Sequence, residues 1–328
     1  MLNLDLKLNE KLFEQDVEKK ATRDGFGEGI MELGETNPDV VVLNADLGES
    51  CKVDKFVKKY PQRSVECGVA EQNMAAIAAG LAEAGKIPYI NSFAVFSPAK
   101  NYETLRTTAV YNNANVKIAG HHAGIVTGSD GATHQATEDI AITRVWPGIN
   151  IFVPCDAIEA KKVTIESAQI EGPVYLRFSR EKTPLITTEN TPFEKDKIQT
   201  YWITKNPKIA ILATGHMVYQ ALLAAKKLKE EGINVLVANV ATIKPLDEKT
   251  VIELAKQAGT VVTCEDHQIQ GGMGSAVAEV LSKNHPTKMK FIGLQDTFAE
   301  SGDAKELLKK YKMDHSAIIE AVKNLLKK

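Results

Sequence analysis

Val116-Lys-Ile-Ala-Gly120-His121-His122-Ala-Gly-Ile-Val-Thr-Gly-Ser-Asp130-Gly-Ala-Thr-His134-Gln135 opens as a strand and ends as a loop crowded with polar groups. The strand-like run 116–120 leads into the loop, and a helix is expected to begin near Ala136. From His121 to Gln135 lie three histidines, one aspartate and three glycines, without hydrophobic periodicity of their own. A strand-to-helix loop belongs at the carboxyl edge of an α/β sheet, where such sheets bind ligands. Packing alone does not explain that composition, so this loop is the first candidate site.

Working outward, the same alternation continues on both sides. Upstream, residues 21–33 read as a helix ended by Asn37-Pro38-Asp39, and Val40-Val-Val-Leu-Asn44 as a buried parallel strand. Residues 64–66 form a short strand, 71–84 an Ala-rich helix, 87–90 a strand and 99–111 a helix. Downstream come a strand at 149–153, a helix at 157–168 and a strand at 174–178. Strands alternating with helices argue for a parallel sheet covered on both faces. Regularity is lost between Pro184 and about Pro207, which places a domain boundary there. A second α/β unit follows, with extended segments at 208–214, 234–239, 260–264 and 290–293, and helices at 221–231, 247–258 and 275–283. The lysine-rich tail 323–328 reads as a solvated helix end. The fold class is therefore α/β, with a parallel-sheet domain over 1–190 and a smaller domain over 191–328.

The chain has 328 residues, 44% hydrophobic and 25% charged, with a formal net charge of −2. That length supports two domains, and that balance supplies no basic field for nucleic acid. Cys51, Cys67, Cys155 and Cys264 lie far apart without a CxxC spacing, so reduced thiols and a cytoplasmic location are expected. The start of the chain lacks the apolar segment of a signal peptide, and no stretch is long and apolar enough for a membrane span.

Several short motifs point the same way: Ala21-Thr22-Arg23, Asn44-Ala45-Asp46-Leu47, Gly68-Val69-Ala70-Glu71-Gln72-Asn73-Met74, Phe93-Ala-Val-Phe96, Gly128-Ser-Asp130-Gly-Ala-Thr-His134-Gln and Phe178-Ser-Arg180. In order and spacing they resemble the pyrimidine-binding and C-terminal domains of transketolase, from about Arg23 to the chain end. Thiamine diphosphate enzymes hold the diphosphate and a divalent metal through a Gly-Asp-Gly motif followed by an Asn. The Asp-Gly pairs at 24–25 and 130–131 lack that context. The chain thus resembles the C-terminal subunit of a split transketolase. The resemblance implies an N-terminal partner carrying the diphosphate-binding domain, in an α2β2 heterotetramer. It also implies thiamine diphosphate as cofactor, with Mg2+ or Ca2+ bound mainly by the partner and no metal ligand in this chain.

The resemblance assigns roles to particular residues. Glu71 would hydrogen-bond the pyrimidine N1′, a contact that is electrostatically strong in a water-poor site. Phe96 would stack on the aminopyrimidine, with Phe93 lining the same pocket. Asp46 and Leu47 would lie under the thiazolium side. Arg23, Ser50 and Arg180 would bind the substrate phosphate, a task suited to guanidinium forks. His122 and His134 would contact the sugar's hydroxyls and phosphate as catalytic groups. Asp130 would read the hydroxyl beside the carbonyl. His121 receives no role.

The expected reaction moves a two-carbon ketol unit from a ketose phosphate such as xylulose 5-phosphate to an aldose phosphate such as ribose 5-phosphate. A 1-deoxyxylulose-5-phosphate-synthase-like activity and a 2-oxoacid dehydrogenase β subunit are the enzyme alternatives. The latter's substrates lack a terminal phosphate for the arginines. Two readings come from other classes. One is a zinc hydrolase using His121, His122, Asp130 and His134, which leaves Glu71 and the phenylalanines unexplained. The other is a non-catalytic regulatory partner, whose signature would be loss of Glu71 or Phe96. The strand-to-helix turn Glu265-Asp266-His267-Gln-Ile-Gln-Gly271-Gly272-Met-Gly274-Ser275, with the His267–Gly274 stretch at its centre, is read either as an anion site at a helix start or as a tight turn packing against a neighbouring subunit.

Overall fold

The computed structural model describes residues 1–327; of the expected lysine-rich tail, Lys328 lies outside the described residues. The strands are β1 (Lys19–Ala21), β2 (Val40–Asn44), β3 (Ser64–Glu66), β4 (Ile87–Phe93), β5 (Lys117–His121), β6 (Asn150–Phe152) and β7 (Val174–Arg177). They continue with β8 (Lys182–Pro184), β9 (Gln199–Trp202), β10 (Ile209–Ala213), β11 (Val235–Asn239), β12 (Thr242–Lys244), β13 (Thr260–Gln268) and β14 (Lys288–Leu294). The first sheet runs β12-β6-β7-β5-β4-β2-β3 and is parallel except at β12. Strands β2, β5 and β7 are buried along their whole length, as expected of parallel strands with both faces covered. The chain moves from β2 out to β3 and returns to β4 on the other side. This reversal opens a crevice outside the carboxyl ends of β2 and β4, where open α/β sheets place ligands.

Helix Thr22–Thr36 packs across helix Ala157–Ser167 through glycine. A Cβ added at Gly25 would lie 1.9 Å from the Ala157 carbonyl oxygen, so only a bare backbone fits. Gly25→Ala is expected to cost about 1–3 kcal/mol through overpacking. Urea unfolding would show this as a lowered midpoint, and an unchanged midpoint would refute so close an approach.

The second sheet runs β14-β13-β10-β11-β9, parallel except for β9 at the edge. Its core joins Ile209, Ile211, Met217, Val218 and Leu222 to Leu8 and Leu12 from the chain start. Leu2 also bridges to Trp202. In return, β12 leaves the second unit and pairs with β6 of the first sheet. The two units therefore exchange segments in both directions. Among the described residues, no helix is long and apolar enough to cross a membrane.

Three local expectations change. The helix expected over 99–111 is interrupted: π-type turns occupy Val95–Lys100 and Leu105–Val110 around a single turn at Tyr102–Thr104. Pro98 has no amide hydrogen to donate, and the Thr107 and Thr108 hydroxyls bond back to helix carbonyls. The helix expected near Ala136 starts at Asp139 instead. Ala136 instead bridges to Ala123, and residues 136 and 137 are both tied down, with Gly124 N donating to Ala136 O and Gln268 N to Thr137 O, both at 2.7 Å. The irregular stretch after Pro184 contains β9, whose Tyr201 and Trp202 are both buried, so no alternation marks it.

Candidate active site

The carboxyl ends of β2, β4 and β5 carry most of the expected residues to one edge of the first sheet. Register sets Asn44 opposite Asn91, and Phe93 opposite His121. Past β5 the backbone turns sharply at His122, whose φ is 54°. The His122 ring stacks on Phe93 with centroids 3.8 Å apart. Phe93 stacks in turn on Phe96 at 6.0 Å, and the edge of His134 meets Phe96 at 5.5 Å. On its other side, Arg23 Nη1 lies 3.3 Å from His122 Nε2 and donates to the Ser50 carbonyl at 3.0 Å. Ser50, Arg23, His122, Phe93, Phe96 and His134 thus form one continuous line of contacts.

Asp130 and Arg180 close the line at the loop's far end. Arg180 Nη1 donates to Asp130 Oδ1 at 3.1 Å and to the Thr127 carbonyl at 2.8 Å. Arg23, Arg180 and Lys52 give this end a positive field. Burial, followed by Arg23, pushes the His122 imidazole down to about 3, so it is neutral at physiological pH. Burial also lowers Arg23, although a guanidinium remains charged. His122 Nδ1 and Arg23 Nε are buried without a hydrogen-bond partner among the described residues. Buried polar atoms of this kind call for an explanation, and a ligand at the site is one.

Glu71 begins the helix Glu71–Glu83 and is only 2% exposed. Its Oε2 accepts from Lys100 Nζ at 2.6 Å, while Asn101 Nδ2 donates to the Glu71 backbone carbonyl and to Ser97 Oγ. Asn101 thereby ties Glu71 to the same 93–101 segment that carries the two phenylalanines. Asp46 and Leu47 sit in the turn after β2. Asp46 is in the left-handed region at φ 59°, its N–H held by Glu66 Oε1 at 2.9 Å. Leu47 N donates to Asn44 Oδ1 at 2.9 Å, and Glu66 also receives the Asn44 amide and Gly68 N.

His121 separates from its neighbour. Its ring is fully buried against Phe26 and Phe178, with Nε2 3.4 Å from Asn91 Oδ1. It is a core residue, and the zinc reading, which needs it beside His122, loses a ligand. The glycine turn of the second unit is also filled from within. Met273 N and Gly274 N donate to the Glu265 carboxylate at 2.7 and 2.9 Å, so the helix start already holds an internal anion. Lys100 and Glu66 are structural participants that motif reading misses, while Asp266, in the turn the sequence singles out, is given no role there although it accepts from Ile125 N. The carboxylate at 66 adjoins a matched motif, but Lys100 carries no local signal.

The transketolase pyrimidine-binding domain profile matches residues 18–185, and the transketolase C-terminal domain profile matches residues 200–318. A Methanocaldococcus jannaschii protein described as a transketolase C-terminal section is 43% identical over 314 residues, covering 94% of this chain and 97% of its own. A 6-deoxy-6-sulfo-D-fructose transketolase subunit from a Clostridium species is 36% identical over 309 residues, 94% of this chain and 95% of that one. The solved structure of a split-gene transketolase, an inactive beta4 tetramer, superposes with a TM-score of 0.87 at 41% identity, over 94% of this chain and 98% of that one. With both domains matched in order along a fold of the same design, the chain belongs to the transketolase family.

Proposed function

We propose that this chain is the C-terminal subunit of a thiamine-diphosphate-dependent transketolase, completed by an N-terminal subunit in an α2β2 assembly. It moves a two-carbon ketol unit between sugar phosphates, with xylulose 5-phosphate as donor and ribose 5-phosphate as acceptor. The observation that carries this reading is the contact line from Arg23 through His122 and Phe93 to Phe96, beside which Asn101 holds the backbone carbonyl of the buried Glu71.

The donor set fits the coenzyme: a water-poor carboxyl for a ring nitrogen, an aromatic face for a ring, and cationic forks for an anion. When bound, thiamine diphosphate supplies a thiazolium carbon acid that can act as a nucleophile toward a ketose carbonyl. Glu71 holds a proton at the pyrimidine nitrogen N1′, once Lys100 releases one carboxylate oxygen. Phe96 stacks on that ring, and Phe93 backs both Phe96 and His122. Asp46 and Leu47 support the thiazolium side. Neutral His122 donates or accepts at a hydroxyl near the carbonyl, and His134 serves further along the chain. Asp130 accepts from the hydroxyl beside the carbonyl, while Arg23, Arg180 and Ser50 grip the terminal phosphate. The diphosphate and its Mg2+ or Ca2+ fall to the partner subunit.

A donor ending in a sulfonate is a second reading, favoured by the name of the Clostridium relative. Guanidinium forks accept either tetrahedral oxyanion. The test is co-expression with the N-terminal subunit and assay with thiamine diphosphate, Mg2+ and each donor. Turnover of xylulose 5-phosphate with ribose 5-phosphate is expected only with both chains present. Use of pyruvate instead would select the deoxyxylulose-phosphate-synthase-like alternative, and full activity of this chain alone would refute the split site.

A further inference from the structure

We infer that Asp266, on β13 of the second unit, is a positioning residue that fixes the loop bearing His122, Asp130 and His134. The inference rests on the reading that this loop holds the sugar. Its observations are geometric. Asp266 Oδ1 accepts from Ile125 N at 2.9 Å and Oδ2 from Val126 N at 3.3 Å. Oδ2 also accepts from His216 Nε2 at 2.9 Å, and the whole cluster is buried. One carboxylate therefore holds two successive loop amides while a histidine of its own unit fixes its orientation.

The loop's glycines show the same embrace. Gly124, Gly128 and Gly131 all have positive φ, at 83°, 78° and 77°. A Cβ at Gly124 would lie 2.0 Å from Asp266 Oδ2, one at Gly128 3.2 Å from Gly302 O, and one at Gly131 2.4 Å from Ser301 Oγ. Each glycine of the loop thus presents bare backbone to the second unit. Gln135 extends the contact, its Nε2 donating to Glu300 O at 3.2 Å. The loop closes turns of its own, with Gly124 N bonded to Ala136 O and Gln135 Nε2 to the Gly128 carbonyl, and the neighbouring unit braces those turns from outside. The second unit is a mould for the sugar-binding loop, and Asp266 is its charged anchor.

Buried amides left without an acceptor are costly, and bonds to a charged acceptor are the stronger kind. Asp266→Asn keeps the shape but turns a donor toward donors. In the assembled enzyme it is expected to raise KM for the ketose phosphate roughly tenfold or more, with a smaller change in kcat. Hydrogen exchange should rise in peptides covering 122–137 and stay unchanged in the first sheet. The Kd for thiamine diphosphate, read by fluorescence, should remain within about twofold, a span of only about 0.4 kcal/mol. His216→Leu, which keeps bulk but cannot donate to Asp266, should shift the same quantities in the same direction by less, and it covers the case in which Asp266→Asn does not fold. Unchanged exchange in 122–137, or a rise spread evenly over the chain with weaker coenzyme binding, would overturn the inference. A wild-type complex inactive on every sugar phosphate would defeat the proposed function instead, and the exchange measurement would still decide the anchoring.

Discussion

Glu71→Ala in the assembled enzyme is expected to lower kcat by roughly 10²–10⁴-fold, the range set by loss of a positioned acid–base group. The carboxyl is 2% exposed, so water does not readily take its place. Its present partner, Lys100, has a side chain 44% exposed and can be solvated when the pair opens. The stability cost of losing this pair should therefore be small, because the lysine left behind is half-exposed and returns to water, where an ion pair contributes about 0–1 kcal/mol. Unfolding midpoint and kcat should separate cleanly: the first nearly unmoved, the second collapsed. Glu71→Gln, matched in shape, should lose activity comparably because an amide cannot exchange a proton with a ring nitrogen in the same way. Activity within tenfold of wild type in both variants would remove Glu71 from the chemistry.

The largest effect on stability is expected from Asp139→Ala. Arg177 on β7 donates to Asp139 through Nε at 2.7 Å and Nη2 at 3.1 Å, and Tyr175 OH donates to the same carboxylate. Arg177 Nη2 also reaches the backbone carbonyls of Ala136 and Asp266, at 3.3 and 2.8 Å, so one guanidinium joins both units. Burial works against the charge of Asp139, yet Arg177 holds the carboxyl below its usual range. Removing one member leaves a buried charge uncompensated, at about 3–5 kcal/mol. Urea unfolding should show this, and Asp139→Leu combined with Arg177→Met should recover part of it. With a depressed folded pKa, the pair's contribution is present above the usual carboxylate value of 3.8 and is lost as pH falls through the folded value. A loss under 1 kcal/mol in Asp139→Ala would mean the network is dispensable.

Much of this architecture can be read from the chain because buried parallel strands are continuous apolar runs. Val40–Asn44 and Val174–Arg177 are legible for that reason alone. Short edge strands are not: Thr242–Lys244 has three residues, and its partner lies in the other unit. The polar loop after β5 stands out for its histidines and glycines, even though its Ile125 and Val126 are packed into the second unit's core. The motifs also mark Arg23, Phe93 and His122, which the structure brings into contact. What sequence could not supply were the residues acting across distance. Lys100 meets Glu71 across 29 positions, and Asp266 meets Ile125 across 141. Glu265 is a nearer case, for it sits in the quoted turn, eight positions before Met273, and only the folded backbone shows that its carboxylate fills the helix start.

The reciprocal exchange of segments bears on how firmly the two units are joined. The opening residues 1–13 are stitched into the later half, and Thr242–Lys244 is stitched back into the earlier one. A cut between the halves would strip each of a piece the other carries. Both stitches would have to open before either unit could come apart alone, so the two are expected to unfold as one cooperative body.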